Sequence, residues 1–212
     1  MVMFVRDGDP MRSRLTGVLA ALSASATLLV TSGAGVAASL NMATGSITSQ
    51  PIGHYEFCKV HVAECTIFST DTGPSRLTGS LWRAIKSVNA SVNRAVTPMN
   101  DFELYGKDEV WDYPKGAGDC EDYVLEKRRK LNAAGVPLSN LLITVVRKPD
   151  GEGHAVLTVR TDKGDFILDN LSDQVRIWTE TGYRYLKRQA STDTGRWVTI
   201  ESGASSAVAA VR

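Results

Sequence analysis

The chain has 212 residues, 43% of them hydrophobic and 22% charged, with a formal net charge of +1. That size and composition suit one domain with an ordinary core and argue against two. A charge this close to balance gives no support for binding nucleic acid or an anionic membrane, and neither is expected as a partner.

At the N-terminus Arg12 and Arg14 precede an apolar run from Leu15 to Val30, which gives way to small residues ending Val36-Ala37-Ala38. This is the pattern of a secretory signal over residues 1–38, cut after Ala38. A membrane anchor is the duller reading, but the run is short for a span and is diluted by Ser and Thr, so no membrane span is expected once the leader is removed. The leader carries three arginines and two aspartates, and the remaining chain is then in charge balance.

Residues 39–74 read as an N-terminal extension. Its first part, to about residue 52, is small and polar without periodicity, and is expected to be a flexible lead-in. Three cysteines in an exported chain suggest one pair and one left over. Cys58 and Cys65 flank a short loop, so a local disulfide is expected there, with Cys120 free. A metal site formed by Cys58, His61 and Cys65 is the alternative, weakened by the lack of a fourth ligand.

The main domain is expected over residues 75–202. From Ser75, the residues Leu81, Ile85, Val88, Val92 and Val96 follow a helical stripe that Thr97-Pro98 ends. Residues 99–118 hold no sustained period and contain Asp101, Tyr105, Trp111, Tyr113 and Pro114, which predicts a structured loop whose aromatic side chains serve the core or line a cleft. That loop leads into Trp111 to Tyr123, W-D-Y-P-K-G-A-G-D-C-E-D-Y, around which the chain is organised. Gly116 and Gly118 permit a tight turn, Asp119 is a good N-cap, and Val124, Leu125, Leu131 and Ala134 recur at helical spacing up to Gly135-Val136-Pro137. Cys120 therefore falls in a first helical turn, where unpaired N–H groups and the helix dipole favour the thiolate, the nucleophilic form of the group.

Short β-rich runs follow: Leu141 to Arg147, His154 to Thr161, Asp165 to Leu168, Val175 to Trp178, Tyr183 to Leu186 and Trp197 to Ile200. Turn signals at 149–153 and 161–164 predict an antiparallel meander, and helices followed by strands predict an α+β fold. The Ala/Ser-rich residues 203–212 read as a frayed tail. His154 opens one strand and Asp169 closes the next, so the hairpin between them brings the two together. Cys120 would then be the nucleophile, His154 its general base and acid, and Asp169 the group that fixes the imidazole. Taken singly, a buried Cys, a strand-end His and a turn-capping Asp are ordinary structural residues; in this order they favour catalysis.

The stretch W-D-Y-P-K-G-A-G-D-C-E-D-Y, with Lys127 to Leu131, Gly135-Val136-Pro137, Gly153-His154-Ala155-Val156-Leu157 and Ile167-Leu168-Asp169-Asn170, resembles the bacterial transglutaminase-like cysteine proteinases, from about Val88 to Trp197. The resemblance implies a papain-like, transglutaminase-type core, N-terminal helices on an antiparallel sheet, and a triad of Cys120, His154 and Asp169. It implies a periplasmic endopeptidase whose protein substrate is a large cell-surface adhesin of biofilms, with a membrane-bound regulatory protein as a further partner. It also implies calcium, through Asp119, Glu121 and Asp122 beside the cysteine. Those acids have a plain alternative use, stabilising a helix start without any metal. Two other functions fit the same three residues: an acyltransferase that passes the thioester to an amine, and a non-catalytic periplasmic protein that keeps the fold as a peptide clamp.

Overall fold

The computed structural model describes residues 40–70 and 73–201. The expected leader over 1–38 and the expected tail over 203–212 lie outside the described residues. In chain order the elements are β1 (Ala43–Thr48), α1 (Ile52–Val60), α2 (Val62–Cys65), α3 (Gly79–Ala95), β2 (Thr97–Pro98), α4 (Asp101–Tyr105), β3 (Ala117–Gly118), α5 (Cys120–Ala133), β4 (Leu141–Arg147), β5 (Gly153–Thr161), β6 (Gly164–Asp169), β7 (Ser172–Ile177), β8 (Arg184–Ala190) and β9 (Asp193–Glu201). The fold is α+β: the helices precede six strands of a seven-stranded sheet, and β1, which comes before them, adds to its edge, giving the order β1-β9-β8-β4-β5-β6-β7 with every pair antiparallel.

Helix α3 starts where the Thr78 hydroxyl accepts a bond from the Leu81 N–H at 3.1 Å, four residues later than the stripe suggested. Ile85 and Val92 on its apolar stripe are fully buried. Helix α5 ends in a Schellman turn, with Gly135 at φ +91° and the Val136 N–H bonded to the Leu131 carbonyl at 3.1 Å. Only glycine adopts that backbone angle without strain, and Pro137 then prevents the helix from resuming.

The central strands β4 and β5 are buried on both faces, which is why β4 reads as the nearly unbroken apolar run L-L-I-T-V-V. Alternate residues serve two cores. Leu141, Ile143, Ala155, Leu157, Val159 and Leu168 meet Ile85, Val124, Leu125 and Leu131 from the helices. Val146, Val156 and Ile167 face the other way, onto Met42, Tyr185 and Ile200. Helix α5 packs on β4, β5 and β6 while α3 lies beside it over β6 and β7, so the N-terminus of α5 is held over the middle strands of the sheet.

Two expectations need correction. The meander holds only from β4 to β7; the chain then crosses to the far edge of β4, where β8, β9 and finally β1 add on. The lead-in is also not loose: residues 43–48 form β1 against β9, and just before it Met42 N–H and the Asn41 side-chain amide bond to the Asp165 carboxylate at 2.9 and 2.8 Å. Asp165 is fully buried and also meets Arg188 at 3.2 Å, so burial of this charge is compensated by several donors at once. Cys58 and Cys65 are joined as a disulfide and Cys120 is free. The imidazole beside that disulfide belongs to His54, whose Nδ1 is 3.6 Å from Cys58 Sγ, whereas His61 turns to Asp112 at 3.5 Å; the alternative metal trio is therefore not assembled. Among the described residues no helix is long and apolar enough to cross a membrane.

Candidate active site

Three elements bring the candidate residues together. Cys120 is the first residue of α5, after the short β3, whose parallel pairing with β2 fixes the turn through Thr97 N–H to Gly116 O at 2.9 Å and Met99 N–H to Gly118 O at 3.0 Å. Gly118 is constrained by a neighbour and not by its own backbone angle: a Cβ there would lie 2.4 Å from a carboxylate oxygen of Asp122. His154 is at the start of β5 and Asp169 at the end of β6. Leu157 faces Leu168 across the two strands, which leaves His154 three residues before that pair and Asp169 one residue beyond it. Their side chains close the remaining gap, with Nε2 of His154 2.9 Å from Oδ1 of Asp169, both buried. Cys120, His154, Ala155, Trp111 and Glu109 line one cavity of about 280 Å³.

The hydrogen bonds determine what each group can do. Asp169 Oδ1 also accepts from the Leu171 N–H at 2.9 Å, and Oδ2 accepts from the Tyr183 hydroxyl at 2.6 Å. Burial alone would raise this carboxyl, but His154, Tyr183 and the Leu171 amide outweigh it and hold it below the usual range, so Asp169 is ionised. An ionised carboxylate can only accept, so the proton of this bond is on His154 Nε2, and Nδ1 is the ring nitrogen left to exchange a proton with the thiol.

Around the cysteine the charges oppose ionisation. The thiol is 3.0 Å from Glu121 Oε2, and burial followed by the Glu121 charge pushes it well above its ordinary value, partly countered by the Ala155 N–H that points at the sulfur. Glu121 is itself raised by burial and by Asp119, and Asp122 is raised to about 7, mainly by burial. Asp119 and Glu121 lie close together, each raised by burial and each affected by the other, so the pair favours keeping a proton.

A cation would relieve this crowding. Carboxylate oxygens of Asp101, Asp119 and Glu121 lie within 4.8 Å of one another, and Oδ1 of Asp101 and of Asp119 are buried without a hydrogen-bond partner. Asp119 occupies the N-cap position of α5 but makes no capping bond with its side chain, contrary to the plain alternative. Asp122 stands apart from the trio: its Oδ1 accepts from the Asp112 N–H at 3.0 Å and its Oδ2 faces Gly118. Of the three acids named from sequence, the structure thus brings together Asp119 and Glu121, and adds Asp101. Such hard, uncompensated oxygens fit a calcium ion, which completes its shell with water or backbone carbonyls. Asp101 had no signal of its own; it is the first residue of α4, whose capping box of Asn100 and Glu103 orients it.

No curated protein matches the chain. Solved structures that resemble it include calcium-bound LapG of Legionella pneumophila, 25% identical, with 58% of this chain and 73% of that one covered at a TM-score of 0.49. LapG of the same organism without a stated ligand is 25% identical, with 56% and 68% covered and a TM-score of 0.46. For the EGTA-treated form the values are 24% identity, 59% and 73% coverage, and 0.48. The family model of the bacterial transglutaminase-like cysteine proteinases matches residues 44–205, which include α5 and all the strands that carry the candidate site. The chain therefore belongs to the bacterial transglutaminase-like cysteine proteinases and is a cysteine peptidase.

Proposed function

We propose that the chain is an exported endopeptidase, with Cys120, His154 and Asp169 as its triad, that cuts an extended segment of a large cell-surface adhesin and is activated by calcium. The observation that carries this is the 2.9 Å bond from His154 to Asp169, with His154 and Cys120 lining the same cavity. His154 Nδ1 takes the thiol proton, and the sulfur attacks the scissile carbonyl carbon. The developing oxyanion meets N–H groups of the first turn of α5, which have no carbonyl partner within the helix. Imidazolium then protonates the leaving amine, a thioester remains, and a water deprotonated by the same nitrogen hydrolyses it. Asp169 holds the ring and compensates its charge throughout.

Asp101, Asp119 and Glu121 would hold the calcium ion. Bound there, it supplies positive charge that offsets the carboxylates opposing ionisation of Cys120. Export rests on the leader pattern over residues 1–38, and the adhesin substrate and a membrane-bound regulator rest on the family resemblance; periplasmic location follows from both.

Unfolded casein offers many extended segments and serves as a first substrate. With calcium present, new peptide N-termini should appear with the wild-type protein and not with Cys120→Ala. Equal cleavage by a folded Cys120→Ala protein would overturn the triad. Adding a labelled primary amine separates hydrolysis from transfer, since a peptidase leaves the label free. For the adhesin, cells carrying the wild-type protein should release a large surface protein that cells carrying Cys120→Ala retain.

A further inference from the structure

Tyr183 lies outside the Cys, His and Asp positions and outside every motif that carried the resemblance. It follows Gly182, at φ +73°, in the connection from β7 to β8, and the turn is closed by Thr181 Oγ1 accepting from the Tyr183 N–H at 3.4 Å. From this third strand system its hydroxyl donates to Asp169 Oδ2 at 2.6 Å, while its ring meets the His154 ring edge-on, centroids 5.7 Å apart at 71°. One side chain thus touches both the carboxylate and the imidazole of the pair. Behind them is a cavity of about 40 Å³ lined by Asp169, Arg176, Thr181 and Tyr183, enough room for about one water. The hydroxyl faces Asp169 from that side.

We infer that Tyr183 is a positioning residue of the peptidase, holding the Asp169 carboxylate and the His154 ring in one geometry. The inference rests on the proposed triad. Three donors reach Asp169: the Leu171 N–H and His154 Nε2 at Oδ1, and Tyr183 at Oδ2. The first two hold one oxygen only, and rotation of the carboxylate about its Cβ–Cγ bond is opposed at that oxygen alone. Tyr183 bonds the other oxygen, so that both ends of the carboxylate are held and its plane is fixed toward the imidazole. The ring edge against His154 limits the second partner in the same way. Nothing is transferred to or from the phenol, and its proton stays on the tyrosine throughout the cycle.

The test uses Tyr183→Phe, which keeps the ring and its packing and removes only the hydroxyl. Two readouts are taken in excess calcium chloride: the rate at which iodoacetamide alkylates Cys120, and the proton resonance of ¹⁵N-labelled His154 Nε2–H. In the wild type that proton should resonate far downfield, and the signal should be lost in His154→Ala. In Tyr183→Phe it should move upfield or broaden, and alkylation should slow about tenfold, as loss of a charge-assisted hydrogen bond predicts. In an Asp169→Asn background the same change should alter alkylation by less than about twofold, because the carboxylate it positions is gone. An unmoved resonance with wild-type alkylation overturns the inference and leaves the triad in place. Equal slowing with and without Asp169 also overturns it, since Tyr183 would then act by another route. If His154→Ala and Asp169→Asn themselves leave alkylation unchanged, the triad fails, and the inference with it.

Discussion

The thiol of Cys120 lies 3.0 Å from a carboxylate oxygen of Glu121, the next residue in the chain. A nucleophile that must lose a proton is therefore held against a group that stabilises the proton-bound form. Charge of the opposite sign beside Glu121 would reverse this. With calcium chelated, Cys120 should react more slowly with iodoacetamide near neutral pH, and the protein should melt at a lower temperature, because an ion bound only by the folded state stabilises it. Alkylation rates and melting curves that coincide in chelator and in excess calcium would reject calcium activation and leave the triad proposal standing.

Removal of each triad member should have a graded effect. Cys120→Ala should abolish turnover while the protein remains folded, since alanine suits the first turn of a helix. His154→Ala should be nearly as severe. Asp169→Asn keeps the shape but can donate where the carboxylate accepts, which favours the wrong tautomer of His154; a loss of about 10²- to 10⁴-fold is expected, with measurable residual activity. Casein cleavage read as new N-termini checks all three, and a fully active Asp169→Asn would remove that residue from the site.

His54 predicts an acid-side loss of stability. It is 1% exposed, between Gln50, Gln189, Trp197 and the disulfide, and burial followed by the charge of Arg128 lowers it from 6.5 to about 4. For a base lowered by folding, the unfolded chain binds the proton more readily, so the contribution is complete above about pH 6.5 and is lost as pH falls toward 4. The shift corresponds to about 3 kcal/mol. Asp119, Glu121 and Asp122 are raised by burial and act in the opposite direction over the same range. The measurement is therefore a difference: chemical denaturation of wild type and His54→Gln from pH 7 to 4, in which the variant should lose less stability on acidification. Parallel pH curves would show that His54 contributes nothing to the acid limb.

What was legible in the sequence follows from how local the cause is. The stripe of α3 and the Gly135-Val136-Pro137 stop of α5 are local, and both helices are found on the expected stretches, although α3 starts four residues late. The proximity of His154 and Asp169 follows from one hairpin, whose register is set by the turn at 161–164. Strand β1 has no such cause: A-T-G-S-I-T has no buried face, and its place is decided by pairing with β9 and by Asp165, more than a hundred residues away. His61 attracted attention by lying between the cysteines, but His54, one helical turn before Cys58, is the one that points at the sulfurs. Tyr183 and Asp101 reach the site only through tertiary packing, which no period or spacing encodes.

Asp101 offers the sharpest test of the cation. It is 1% exposed, its Oδ2 accepts from the Val110 N–H, and its Oδ1 has no partner although Asp119 and Glu121 oxygens lie within 4.8 Å. Burial pushes its carboxyl up, which marks the charged form as unfavourable there. Asp101→Asn keeps an oxygen for Val110 and removes a charge that repels its neighbours. Without calcium the variant should therefore melt no lower than the wild type, and should melt higher if relief of repulsion outweighs the changed hydrogen bonding. With calcium the order should reverse, because the wild type gains a full ligand set and the variant lacks one anionic oxygen pair. Asp101 is eighteen residues before Asp119 and outside α5, so helix capping provides no route to such a crossover. A calcium-induced rise in melting temperature of equal size in wild type and Asp101→Asn would remove Asp101 from the ion's shell, whatever Asp119 and Glu121 do.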